Sequence, residues 1–172
     1  MASTESPQII DSTTVVSLLA VISFLQASYV LSRSVLIPST PKRLRILFIW
    51  HAFDFLVHTI LEGSFIYNCF FTWSPADSAV SHPAAATNFL SHPDRLYGAA
   101  YGDNWATKLW MVYAQADKRW GGADLTVISL ELLTVFGAGP LAAYICRGIQ
   151  QRDPRVSFWM IVLATGELYG GM

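Results

Sequence analysis

Leu47–Phe71 reads LFIWHAFDFLVHTILEGSFIYNCFF, and its reading decides the fold. As an α-helix these 25 residues would be about 37 Å long, enough to cross a hydrocarbon core of about 30 Å. The block contains no Lys or Arg, yet it carries His51, Asp54, His58 and Glu62. Steps of three, four and four residues place all four on one helical face. An apolar helix with a single ionisable stripe belongs inside a bundle, with the stripe turned away from lipid.

Three further apolar blocks accompany it. Thr13–Ser32 (TTVVSLLAVISFLQASYVLS) is uncharged, Leu125–Cys146 forms a third block, and Val156–Gly171 forms a fourth. The whole chain of 172 residues is 53% hydrophobic and 13% charged, against roughly 25% charged for a soluble domain. The expectation is therefore an all-α polytopic transmembrane bundle with four spans. A polar amino-terminal segment occupies residues 1–12 and one membrane domain residues 13–172. The first block has nothing basic ahead of it and is longer than the core of a signal peptide, so it is expected to be a retained span.

The connections have a charge pattern. Arg33–Arg45 holds Arg33, Lys42, Arg43 and Arg45, and Arg147–Arg155 holds Arg147, Arg152 and Arg155. If every block spans, both basic loops share one side, which the positive-inside rule makes cytosolic. The amino terminus and the long Thr72–Asp124 connection then lie on the lumenal side. That connection is rich in Ser, Pro, Ala, Asp and Gly, and has SHP at Ser81 and again at Ser91. Within it, Trp105–Trp120 (WATKLWMVYAQADKRW) mixes aromatic and charged residues, as either a helix at the membrane surface or a solvated loop helix does.

With a net charge of −1 and no basic cluster outside the short loops, nucleic acid is not an expected partner. Cys69 and Cys146 lack disulfide-framework or zinc spacing and are expected to be buried thiols. There is no phosphate-binding glycine loop and no nucleophile elbow.

Asp124, Glu131 and Thr134 share a face of the third block, and Glu167 lies in the fourth. Together with the stripe of the second block they bring carboxyl and imidazole groups into a water-poor interior with no fixed cation nearby. Donor and acceptor of a proton side by side are what addition at one carbon and removal at another require. An acidic and aromatic lining also matches the charge of a carbocation and favours amphiphilic amines as inhibitors. The competing use is a single metal ion at His51, Asp54, His58 and Glu62. Membrane di-iron chemistry needs clustered histidines, whereas this chain has four, with His82 and His92 in the long loop. No metal and no cofactor is expected.

At these residues the sequence resembles the family of the emopamil-binding protein, or sterol Δ8-Δ7 isomerase, which shares the EXPERA domain. The resemblance is carried by HTILEG at His58–Gly63, LWMVYAQADKRW at Leu109–Trp120, Asp124 with Thr126, ELLT at Glu131–Thr134, GPL at Gly139–Leu141, and Gly166 with Tyr169 and Gly170. It implies a five-helix membrane fold around a sterol-sized cavity. It further implies proton transfer and cation stabilisation by His58, Glu62 and Glu131, with Thr134 nearby, and placement in the endoplasmic reticulum. Asp54, His51, Trp110, Tyr113, Glu167 and Tyr169 are the other expected substrate contacts.

Two departures stand out. The family's chain runs on past the YG pair into a fifth span that gives a Trp and an Asn to the pocket, whereas this sequence ends at Met172. Four spans are therefore expected here, with the remaining wall missing or supplied by a partner. Asp54 and Glu167 add acids where the animal isomerases are expected to be uncharged, which shifts weight toward another polycyclic or terpenoid substrate. The leading expectation is a cofactor-free membrane isomerase that moves a carbon-carbon double bond. Cyclisation or rearrangement of a terpenoid, and non-catalytic binding of a sterol or lipid, are the alternatives. The expected partners are a sterol or terpenoid small molecule, the lipid bilayer and a second copy in a homodimer.

Overall fold

The structure, a computed structural model, describes residues 12–77, 83, 86 and 88–170. The polar segment ahead of Ser12, and Ser81 and His82 of the first SHP triplet, lie outside the described residues. Helix α1 is Ser12–Val35 and α2 is Lys42–Phe71. A two-stranded antiparallel sheet of β1 (Trp73–Pro75) and β2 (Arg95–Tyr97) follows. Helix α3 is Trp105–Ala116, α4 is Leu125–Gln151 and α5 is Val156–Gly170. Helices α1, α2 and α4 are long and apolar enough to cross a membrane, and α5 is a shorter apolar helix. The chain is thus an all-helical membrane bundle with one small ribbon.

The basic segments differ from the expected loops. Arg33 lies in the last turn of α1, Lys42, Arg43 and Arg45 open α2, and Arg147 is inside α4. The reason is local: α1 ends with carbonyls that need donors, and the Arg45 guanidinium reaches back to Ser32 O at 2.7 Å and Ile37 O at 3.0 Å. The helices therefore run on into the charged region, and only short turns separate them.

Helix α2 packs along both α1 and α4, and α5 packs on α4. On the face of α1 toward its neighbours, Ser28 and Ser32 are fully buried and turn their hydroxyls back to Phe24 O and Tyr29 O. Small side chains with internally satisfied hydroxyls let helices approach closely in lipid, where no hydrophobic force drives them together. The outer face of α1, with Leu18, Leu19, Ile22 and Leu25 exposed, is left for lipid.

Two apolar clusters bracket the bundle. One joins Phe48, Ala52, Ala142, Ile145, Ile149 and Leu163 near the basic turns. The other joins Phe65, Cys69, Tyr97, Trp110, Val127 and Ile128 near the long connection. The ionisable stripe of α2 falls between them: His58 is about 24 Å along the axis from Lys42 and about 20 Å from Phe71 at 1.5 Å per residue.

Both central helices widen at this level. Val57–Glu62 in α2 and Thr134–Ala138 in α4 are π-helical turns, and the two face each other. Pro140 accounts for the second, because a proline inside a helix loses one hydrogen bond and crowds the carbonyl four residues before it. No proline accompanies the first. Wide turns of this kind recur at functional sites. The two helices lie against each other here: a Cβ on Gly139 would stand 3.4 Å from His58 Cβ, at van der Waals contact.

The described residues of the long connection close one end of the bundle. Gly98 has φ +130°, and a Cβ there would stand 2.6 Å from Gly122 Cα, so only glycine fits. Ala100 N donates to Gly121 O and Ala123 N to Tyr97 O, stitching the ribbon to the start of α4. Helix α3 packs against α1 and α2 with Leu109 and Trp110 buried. It is therefore part of the bundle, although Trp105 and Tyr113 stay exposed.

Candidate active site

His58 organises the site. It is 7% exposed, and its Nδ1 lies 2.6 Å from Glu62 Oε2, one turn ahead within the wide segment. Its Nε2 points the other way, 3.5 Å from Asp54 Oδ1 and 3.6 Å from Glu167 Oε1, ion-pair distances longer than ordinary hydrogen bonds. One imidazole is thus flanked by three carboxyls from α2 and α5. Across the facing π turn of α4, Glu131 and Thr134 meet Glu62, and the Thr134 hydroxyl lies 3.3 Å from Glu131 Oε2 and 3.1 Å from Glu131 O.

These groups open on a cavity of about 700 Å³, within the range of small-molecule sites. His58, Glu131, Thr134 and Glu167 line it, with Val127, Leu130, Leu141 and Leu163 as apolar wall. Four expected site residues therefore share one cavity, and Glu62 and Asp54 sit directly behind His58. His51 is 6% exposed, lies one turn before Asp54 and is not on the cavity wall; its Nδ1 has no hydrogen-bond partner.

Three expected contacts fall elsewhere. Tyr169 is 69% exposed on the outer face of α5. Trp110 and Tyr113 line a smaller groove, about 210 Å³, between α1 and α3. Trp110 is held there by donating Nε1–H to Ser64 Oγ at 2.9 Å, and it stacks on Trp120 with ring centroids 5.1 Å apart. It is Trp120, the outer of the two rings, that reaches the cavity wall. Asp124 is also removed from the acidic face: its carboxylate accepts from Thr126 N and Val127 N, so it caps α4.

Arg119 also lines the cavity, so the site does have a fixed cation at its rim. Its charge is already engaged. Asp117 binds the guanidinium with contacts down to 2.6 Å, and that hydrogen bonding holds the Asp117 carboxyl below its ordinary range. The reach of Arg119 and Trp120 from a loop left no periodic trace in the sequence; only their place in the Leu109–Trp120 motif pointed to them.

For a cation, the donor set differs from the one suggested by spacing. Glu62 is on the Nδ1 side, and Asp54, His58 and Glu167 offer three ligand atoms within 4.8 Å of one another.

Fold and site together define a polytopic helical membrane protein with a buried carboxyl-imidazole cluster on a cavity. Residues 105–172 match the family model EXPERA (EXPanded EBP superfamily). The resemblance read from the sequence is thereby shown for α3 through α5, the part that carries Glu131, Thr134 and Glu167. The match supports a sterol-isomerase-like or sterol-binding role in a membrane.

Proposed function

We propose that the protein is a membrane isomerase that moves a carbon-carbon double bond in a sterol or related terpenoid, within the endoplasmic reticulum membrane. The observation that carries this reading is the His58 imidazole held by Glu62 at 2.6 Å on a cavity shared with Glu131 and Thr134. The chemistry follows from the arrangement. A proton adds to one carbon of the double bond, the adjacent carbon becomes cationic, and loss of a proton from its neighbour forms the new double bond. Four carboxyls lie around the His58 imidazole, and their mutual repulsion in an apolar interior is relieved when some hold protons while others are ionised against imidazolium. A cluster that holds protonated and ionised groups side by side can both give and take a proton. Carboxylates and the Trp120 face also stabilise the intermediate cation.

The test supplies an 8-ene sterol to membranes containing the protein or its His58→Ala and Glu131→Ala variants. Formation of the 7-ene product by the parent, with loss in both variants, is expected. Equal product from parent and variants would remove these residues from the reaction.

Asp54 and Glu167 favour a second reading, cyclisation or rearrangement of a terpenoid epoxide or alkene at the same cavity. Turnover of a terpenoid epoxide, with no action on the 8-ene sterol, would select it.

A further inference from the structure

Asp54 and Glu167 are the part of the cluster that the double-bond reading leaves without a task. They come from different helices and converge on the same nitrogen of His58. Three atoms at this point, Asp54 Oδ2, His58 Nε2 and Glu167 Oε1, are buried and have no hydrogen-bond partner. His58 is more than nine-tenths buried, and its orientation is fixed from behind by Glu62, so Nε2 is aimed between the two carboxyls. Two ionised carboxylates so close in an apolar interior repel, whereas one proton held between them removes a charge and supplies a missing donor.

We propose that Asp54 and Glu167 form a one-proton carboxyl dyad docked on Nε2 of His58, presented to the cavity through Glu167 as a second acid. Glu167 lines the cavity and Asp54 does not. Glu167 is thus the member that touches substrate, and Asp54 is a positioning residue. The substrate class is an alkene or epoxide whose protonation leaves a carbocation. With an alkene, the Glu167 O–H bond breaks, the π electrons form the new C–H bond, and a Glu167 carboxylate remains. The proton lost from the neighbouring carbon passes to the Glu131 carboxylate, and its C–H electron pair becomes the new double bond. The proton on Glu131 is then lost to solvent as product leaves the cavity, and solvent returns one proton to the dyad through His58 Nε2, which resets the site. The reaction scheme rests on the double-bond reading, but the existence of the dyad does not.

Infrared difference spectra of the full chain in lipid nanodiscs, in H2O against D2O, test the dyad without substrate. A carboxylic-acid carbonyl band that shifts on exchange is expected, lost in both Asp54→Asn and Glu167→Gln and kept in Glu131→Gln. Persistence of the band in both dyad variants, or its absence from the parent, would overturn the proposal. So would an equimolar divalent metal ion in the purified protein that is lost in the dyad variants, since a cation would then occupy the proton's place. In the sterol assay, Glu167→Gln is expected to lower turnover at least tenfold, with partial recovery in Glu167→Asp. Parent-like turnover by Glu167→Gln would overturn its role as the acid. A parent that shows the dyad band but forms no 7-ene product supports the dyad and counts against double-bond migration alone.

Discussion

Replacing Glu62 by Gln is the sharpest probe of how His58 is held. The substitution keeps shape and an acceptor oxygen but removes the charge opposite Nδ1, where the contact is 2.6 Å. A hydrogen bond involving a charged group contributes about 1.5–3 kcal/mol, and a neutral one about 1 kcal/mol. The difference, about 0.5–2 kcal/mol, applies to any state in which His58 is an imidazolium, and 1.36 kcal/mol is a factor of ten in rate. Glu62→Gln is therefore expected to slow 7-ene sterol formation by more than about 2-fold and up to about 30-fold, measured as initial rates in membranes normalised to folded protein. Because the amide cannot pass a proton, the loss would be larger if Glu62 also relays one to Glu131. A rate within twofold of the parent, in a variant that elutes as the parent does on gel filtration, would refute the view that this pair positions the reacting imidazole.

Other outcomes follow from the frame around the site. Gly98→Ala puts a methyl group against Gly122 Cα at a backbone angle that side chains rarely adopt; a clear drop in melting temperature in detergent is expected, and an unchanged one would contradict the close approach. Asp124→Ala removes the acceptor for two backbone donors of α4 and is expected to cost about 1 kcal/mol, read as a lower thermal midpoint with Asp124→Asn largely restoring it. The Asp117–Arg119 pair has a folded carboxyl below its ordinary range, so its contribution is complete at neutral pH and is lost only as pH falls through that lowered value. Asp117→Asn should accordingly free Arg119 and weaken binding of amphiphilic amines across the neutral range, measured by competition; unchanged amine binding would show that the rim charge does not reach the ligand.

The apolar blocks and the ionisable stripe were legible because both depend on composition and a period near 3.6, which a helix in lipid must respect. His58, Glu62, Glu131 and Thr134 could be placed together for that reason. What escaped was structure without a period. The ribbon at Trp73–Pro75 and Arg95–Tyr97 is too short to alternate visibly. Trp120 and Arg119 arrive at the cavity from a connection, and Tyr169, though next to a motif glycine, faces outward. Asp124 is a different case: an acid directly before an apolar run is an N-terminal capping signal, and that local role outweighs the spacing that puts it in line with Glu131. The π turns could not be seen either, since a single extra residue per turn shifts the stripe by less than the width of the face.

Those widened turns have a consequence for how the protein tolerates length changes. Each accommodates a residue more than an ordinary turn does, so deleting one residue within Val57–Glu62 can be absorbed by tightening to regular α geometry, with no break in the helix. The segments on either side would then keep nearly the phase they have now, whereas deleting a residue from an ordinary turn would swivel everything beyond it by about 100°. Phe65 and Cys69 would keep their packed seats along with Asp54, and the change would fall on the placing of His58 and Glu62 within the tightened turn.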